Sequence, residues 1–303
     1  VPPTAAPVGV MDVGGGHVTA AVIDPSAVDR VLVERDAPVD PHAHRDALLD
    51  QLAGPGRALA RPGELQGWSI AMPGPFDAEA GVGTFAGVDK FQALAGVDLR
   101  GALAVRLGVV PGAVRFVNDA VAYGIGEWAG GAGAHVDRMV CVTLGTGVGS
   151  SFLHAGVAVD SGPDLPDHGE VHRLTIDGRP LEETVSSAAL RRADRDQSGV
   201  SRTVEQLCAA ARAGEPAAVS VTAAAMHALG AALRPWVGRF GATRVVVGGS
   251  IARSWDVIGP PLADCLHDSG ADSTLEVLPA TLGARAPLVG AAVAWTRATG
   301  LSR

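Results

Sequence analysis

The sequence predicts an α/β protein built from two similar halves. Three observations carry that expectation. Apolar residues fill 47% of 303 positions, and 40 glycines with 20 prolines cut them into short runs, which suits strands and turns among helices. VGVMDVGGGHVTAAVID (8–24) is an apolar run, a glycine turn and a second apolar run, with no helix between. DRMVCVTLGTGVGSSFLHAG (137–156) repeats this about 130 residues later, counted from Gly14 to Gly145, as a duplicated core would.

Taken in order, 8–14 and 17–24 read as strands, and DRVLVERD (29–36) as a third after the turn DPS. Their connections are too short for a crossover helix, so an antiparallel meander is expected. Residues 43–60 read as a helix and GWSIAM (67–72) as a buried strand stopped by PGPFD. RFVNDAVAYGIGEW (115–128) passes from a strand through Asn118-Asp119 into an Ala- and Gly-rich helix. Beyond the second hairpin, helices are expected near 181–195, 203–213 and 216–236; in the last, Met226, Leu229 and Leu233 form one apolar stripe. TRVVVGGSIARSW then gives a β-branched strand, Gly248-Gly249-Ser250 and a helix from about Arg253, and PLVGAAVAWTRATG (287–300) a closing helix. The absence of low-complexity linkers predicts domains joined by short hinges around a cleft.

Bulk properties exclude several classes. The charge is -8, and the nearest thing to a basic run, Arg191-Arg192 with Arg195, is broken by Asp194 and Asp196, so nucleic acid is not an expected partner. Cysteines 141, 208 and 265 are odd in number and far apart, which indicates neither a disulfide framework nor a cysteine zinc site. VPPTAAP lacks signal-peptide character, and no apolar stretch reaches membrane-spanning length without a charge or breaker. A reduced, cytoplasmic globular protein with no membrane partner is expected.

Several look-alike motifs fail on spacing. Lys90 is the only lysine, and Val88-Asp89-Lys90-Phe91 is not a P-loop, so no Walker-type lysine is expected. GTGVGSS has the wrong glycine spacing for a dinucleotide fingerprint and precedes a strand. His44-Arg45-Asp46 mimics a kinase triplet, but Gln51 stands where the metal-binding Asn belongs. HGEVH (168–172) places Glu170 third, whereas a zincin needs it second, and there is no GxSxG elbow.

Three glycine turns remain: Gly14-Gly15-Gly16, Gly145-Thr146-Gly147 and Gly248-Gly249-Ser250. Each ends an apolar strand, and a tight turn with little side-chain bulk aims several N–H groups at one anion. One such turn is simply a hairpin; three favour a polyphosphate clasp that needs no lysine. Asp12, beside the first turn, either caps it or holds Mg²⁺ through water. Asn118-Asp119 reads alone as a helix cap, though an Asp there can also accept a hydroxyl proton.

These segments resemble the ROK family of sugar kinases and related proteins, within the superfamily of actin, hexokinase and Hsp70. The likeness spans nearly the whole chain. DVGGG resembles the first phosphate loop, PGPFD the segment before the sugar site, VNDA the catalytic junction, LGTGVGSS the second phosphate loop and VVVGGSIA the adenosine motif. LEETVSS (181–187) resembles the sugar-binding Glu followed four residues later by Ser.

The resemblance implies two ribonuclease-H-like, actin-like ATPase domains with mixed sheets, flanking helices and a central cleft. Residues 1–116 would form the first, with 287–303 packing back on it, and 117–286 the second. Asp119 would be the general base. Gly74, Gly87, Asn118, Glu170, His172 and Glu182 would hold the sugar with it. ATP would lie on Asp12, Gly14, Gly15, Gly16, His17, Gly145, Thr146, Gly147, Gly149, Gly248, Gly249 and Ser250, with Mg²⁺ near Asp12. The partner would be a small-molecule sugar, and the protein a dimer or tetramer.

Three departures stand out. Gly16-His17 replaces the family's Thr followed by Lys or Asn. Glu170-Val171-His172 is one residue shorter than Glu-x-x-His, leaving His168 as an alternative. The zinc-binding cysteines are missing from RLTIDGRPL (173–181), so no structural zinc is expected and packing must brace that loop. Glucose is the default substrate; an aminosugar such as kanosamine or N-acetylmannosamine, or a cyclitol, is the alternative. ROK repressors carry a helix-turn-helix domain ahead of the first loop, which here begins near residue 10, so the non-enzyme rival is an inactive sugar sensor.

Overall fold

Glycine-turned hairpins begin both of the large sheets. The computed structural model describes residues 6–267 and 274–300. The chain divides into two compact units, one running to Ala129 and resuming at Ala284, the other Gly130–Gly283.

In the first unit, β1 (Val8–Val13), β2 (His17–Asp24) and β3 (Ala27–Pro38) form the expected antiparallel meander. Helix α1 (Arg45–Leu59) leads to β4 (Trp68–Met72), which pairs parallel with β1. A small hairpin, β5 (Phe76–Asp77) with β6 (Val82–Gly83), precedes α2 (Leu99–Leu107), a helix not anticipated from sequence. Strand β7 (Val114–Asn118) pairs parallel with β4 and runs directly into α3 (Asp119–Gly130). The sheet order is β3-β2-β1-β4-β7.

Strand periodicity sorts the side chains onto two faces. Met11, Val13, Trp68, Ile70 and Met72 pack with Leu48, Leu52 and Leu103 of α1 and α2. Val8, Val10, Ala71 and Val117 pack with Ala122 of α3 and with Leu288, Ala292 and Trp295 of the C-terminal helix, Ala286–Ala298. That helix thus returns to the first unit. Its Gly290 lies against the Ala122 carbonyl, and Gly126 of α3 against the Ala286 carbonyl, so a Cβ at either glycine would overlap backbone. This backbone-to-backbone crossing explains the small residues. It also corrects the boundary expected at 116/117: β7 completes the first sheet and α3 locks onto the C-terminal helix, so the division falls after Ala129.

The second unit repeats the plan with β8 (Arg138–Leu144), β9 (Val148–His154) and β10 (Val157–Val159) as its antiparallel meander. Residues 174–181 then form a hairpin, β11 (Thr175–Ile176) with β12 (Arg179–Pro180). Asp177 and Gly178 both have positive φ, the signature of a tight two-residue turn, and the Leu181 N–H donates to the Leu174 carbonyl. Leu174 and Ile176 anchor the loop on the core. Helices α4 (Glu182–Val185), α5 (Ser187–Ser198), α6 (Val204–Arg212) and α7 (Pro216–Phe240) follow. Strand β13 (Arg244–Gly248) pairs parallel with β8, and after α8 (Trp255–His267) strand β14 (Glu276–Pro279) pairs parallel with β13. The order β10-β9-β8-β13-β14 has the same sequence of strand directions as the first sheet.

Helix α7 qualifies the expectation about apolar stretches, because by length and composition it is long and apolar enough to cross a membrane. Half of its most apolar stretch is buried, and Met226, Leu229 and Leu233 sit within the core of the second unit.

Candidate active site

Chemistry-bearing residues collect at the carboxyl ends of the parallel strands, where ligands bind in open α/β sheets. Asp12 near the end of β1 lies opposite Ala71, and Ala71 opposite Val117, so Asp12 and the β7–α3 junction stand two strands apart, about 10 Å between backbones. Asn118 caps α3: its Oδ1 accepts from the Ala120 N–H at 3.0 Å and the Val121 N–H at 3.1 Å. The cap is therefore supplied by Asn118 rather than by Asp119. Asp119 Oδ1 accepts from the Ala120 N–H at 2.8 Å. Gly74 lies beside the Asn118 amide, which is 3.9 Å from where a Gly74 Cβ would stand.

Asp12 and Asp119 are both half-buried. Burial, and then the charge of Asp119, push the Asp12 carboxyl up to about 7. Burial pushes Asp119 up to about 6, against the opposing pull of the Ala120 N–H and the Lys90 ammonium. A carboxyl poised there is ionised at neutral pH yet basic enough to take a proton.

In the first turn, the Gly14 N–H donates to the His17 carbonyl at 2.9 Å. The His17 ring folds back over Gly14, its Cε1 2.6 Å from where a Cβ would stand, and Lys90 Nζ is 2.7 Å from the equivalent point on Gly15. None of Gly14, Gly15 and Gly16 has a positive φ; Gly14 and Gly15 clear space for the His17 and Lys90 side chains, whereas a Cβ at Gly16 would meet open space. His17 is itself exposed. Lys90, which fits no sequence motif, is thus brought to the first glycine turn, and its flanking residues carry no signal for that placement. Gly87, three residues upstream, has φ +76° and open space where a Cβ would stand.

The second unit gathers its own group. The Gly145 N–H donates to the Gly147 carbonyl at 3.0 Å, closing the β8–β9 turn with Thr146 exposed at its tip. Gly149 lies within β9 opposite Thr143, and Thr143 is opposite Gly248 of β13. Ser250 Oγ is 3.4 Å from the Cβ position of Gly145. Gly249 has φ +87°, and a Cβ there would overlap the Leu144 backbone, so only glycine lets this corner lie against the end of β8. Glu182 Oε2 accepts from the Val148 N–H at 2.9 Å, and Ser187 donates from its N–H at 2.8 Å and its Oγ at 2.9 Å to the Gly145 carbonyl. Ser186 instead caps α5 through the Ala189 N–H. The Glu182 carboxylate is thus bound to the second turn.

Glu170 is held in a turn tied to β9: Ser150 Oγ donates to the Gly169 carbonyl and accepts from the Val171 N–H. Its carboxylate lies 2.8 Å from Arg173 Nε and 4.0 Å from His172 Nε2. His168 faces Asp167 at 3.8 Å, so of the two candidate histidines His172 is the one beside Glu170. Among the described residues no group of three or more His, Cys, Asp or Glu is arranged to hold a metal ion. Asp12 alone offers one carboxylate, which fits a cation completed by water and phosphate oxygens.

Residues 8–298 match the ROK family. The chain belongs to the ROK family. Its relatives include a glucokinase from Thermotoga maritima, 29% identical over 74% of this chain and 77% of that protein. A ROK hexokinase from Thermus thermophilus, 22% identical, superposes with a TM-score of 0.77 over 97% of this chain and 99% of its own. A ROK glucokinase from Streptomyces griseus, solved with glucose and AMPPNP, is also 22% identical, with a TM-score of 0.75 over 95% of this chain and 98% of its own. The two sheets of this ROK chain are accordingly those of the actin-like ATPase fold.

Proposed function

We propose that this ROK protein is an ATP-dependent sugar kinase, with glucose as the default substrate and Asp119 as the general base. The observation that carries the reading is the β7–α3 junction: Asn118 takes over the cap, and Asp119 holds its carboxyl at about 6 at the carboxyl end of the sheet. In the reaction a sugar hydroxyl oxygen, the 6-OH in the default case, attacks the γ-phosphorus of ATP. The bond from phosphorus to the β,γ-bridging oxygen breaks, ADP leaves with the bonding pair, and the hydroxyl proton passes to Asp119. Base catalysis of this kind contributes about 10²–10⁴ in rate, with positioning and charge stabilisation supplying the rest.

Asn118, Glu170, His172 and Glu182, with the backbone at Gly74 and Gly87, are assigned to the sugar hydroxyls. The three glycine turns are assigned to ATP. Mg²⁺, when bound, neutralises phosphate charge, and Asp12 would hold it through water. ATP use is supported by the AMPPNP in the Streptomyces griseus relative. A cytoplasmic location suits an ATP-dependent enzyme whose three cysteines are all thiols.

The test is an ADP-release screen over hexoses, aminosugars and cyclitols with Mg-ATP. Sugar-dependent release is expected, strongest with glucose or a close analogue. Tight sugar binding with no turnover by any of them would assign the protein to the sensors instead.

A further inference from the structure

The one lysine of the chain is placed where no sequence motif puts it. Lys90 leaves a loop pinned from both sides: Phe85 and Phe91 are fully buried, their rings 5.7 Å apart, and the Phe91 N–H donates to the Pro41 carbonyl at 2.9 Å. Gln92 Nε2 closes the same loop by donating to the Phe85 and Val88 carbonyls, both at 2.6 Å. From this anchored base the half-buried side chain reaches the first glycine turn, where Nζ stands 2.7 Å and Cε 3.0 Å from the Cβ position of Gly15. No hydrogen bond or ion pair engages Lys90 among the described residues. Its charge acts on the Asp119 carboxylate, but no carboxylate among the described residues stands within ion-pair distance, so the ammonium resting on the glycine turn keeps its N–H groups for an anion.

We propose that Lys90 is a phosphate-binding residue, its ammonium taking the terminal phosphate of a nucleoside triphosphate seated on Gly14-Gly15-Gly16. The inference rests on the reading of that turn as a phosphate loop. It supplies from a distant loop the cation that Gly16-His17 does not provide, and a Cβ at Gly15 would crowd the far end of the Lys90 side chain. The ammonium is near enough to Asp119 for its charge to act on that carboxylate, so a terminal phosphoryl group held by Lys90 would lie on the side of the proposed base.

Because Lys90 is unique, the wild-type chain tests this directly. Amine acetylation, followed by peptide mass spectrometry, is run with no nucleotide, Mg-AMP, Mg-ADP or Mg-ATP. Lys90 should label readily alone and with AMP, and be protected by ATP more than by ADP. In calorimetry on the full chain, Lys90→Met should weaken ATP binding by about 10- to 100-fold while AMP binding is unchanged, and Lys90→Arg should recover most of the loss. In turnover assays the change should fall on kcat and the KM for ATP, and leave the KM for sugar in place. Equal labelling in all four conditions, or ATP affinity unaltered in Lys90→Met, overturns the assignment even if sugar is phosphorylated. ATP protection without any sugar turnover upholds Lys90 and removes the kinase reading. If Lys90→Met does not fold, the labelling result decides.

Discussion

The two hairpin turns use one backbone device with opposite dressing. Gly14-Gly15-Gly16 with His17 joins Val13 to Val18, and Gly145-Thr146-Gly147 joins Leu144 to Val148, each opening the central antiparallel pair of its sheet. The first turn has an imidazole over Gly14 and an ammonium over Gly15. The second has the Glu182 carboxylate against Gly147 and two hydroxyls, Ser187 and Ser250, at Gly145. Duplication therefore preserved the strand order and not the electrostatics. The cationic turn suits the most highly charged end of a polyphosphate, whereas the second turn already has one N–H occupied by a carboxylate.

The largest expected effect lies next to the first turn. Asp119→Asn should lower kcat by about 10²–10⁴ with little change in the KM for sugar, read from steady-state ADP release. In the wild type, activity should fall as pH drops through about 6, because the base must be ionised and burial holds its pKa there. An acid limb near 4, the range of an ordinary carboxyl, would contradict that burial argument.

Next come the two glycines whose neighbours differ. Gly15→Ala meets only the far end of the Lys90 side chain, so stability should hold while kcat/KM for ATP falls by about 10-fold as the ammonium is displaced. Gly147→Ala meets the Glu182 carboxylate at 2.8 Å, and should disturb the link between that residue and the turn. Glu182→Gln separates the two roles of Glu182. If bracing the turn dominates, the KM for ATP rises with that for sugar; if sugar binding alone matters, only the latter moves.

A smaller effect concerns Asp12. Its folded-state pKa of about 7 lies above the ordinary value of 3.8, so it favours the folded state at low pH and that contribution is lost as pH rises through 7. Asp12→Asn should therefore raise Tm more at pH 8 than at pH 5 in the absence of Mg-ATP. A gain that is larger at pH 5 would reverse the sign and exclude desolvation as the cause.

Much of the fold was legible because hairpins, β-branched strands and the Met226–Leu233 stripe are local signals. Helix α2 was not, since LRGALAVRL offers little contrast between faces, and its N-cap Asp98 follows a loop of weak pattern. The domain boundary was misplaced because the tie between α3 and the C-terminal helix joins residues far apart in sequence, Gly126 and Gly290. In the candidate site, the positions of Asp12, Asn118 and Asp119 beside turns and strand ends were visible in the sequence. That of Lys90 was not, because only the fold carries its loop to Gly15. The attachment of Glu182 to the Val148 N–H is likewise a tertiary fact, set by α4 lying against the second hairpin.

The most direct test of the central claim is product stoichiometry, with ADP and sugar phosphate quantified from one reaction of glucose, or the best sugar found, with Mg-ATP. Wild-type protein should form one sugar phosphate for each ADP, and Asp119→Asn should form neither at a comparable rate while still binding ATP. ADP formed without sugar phosphate, or full turnover by Asp119→Asn, would contradict the account.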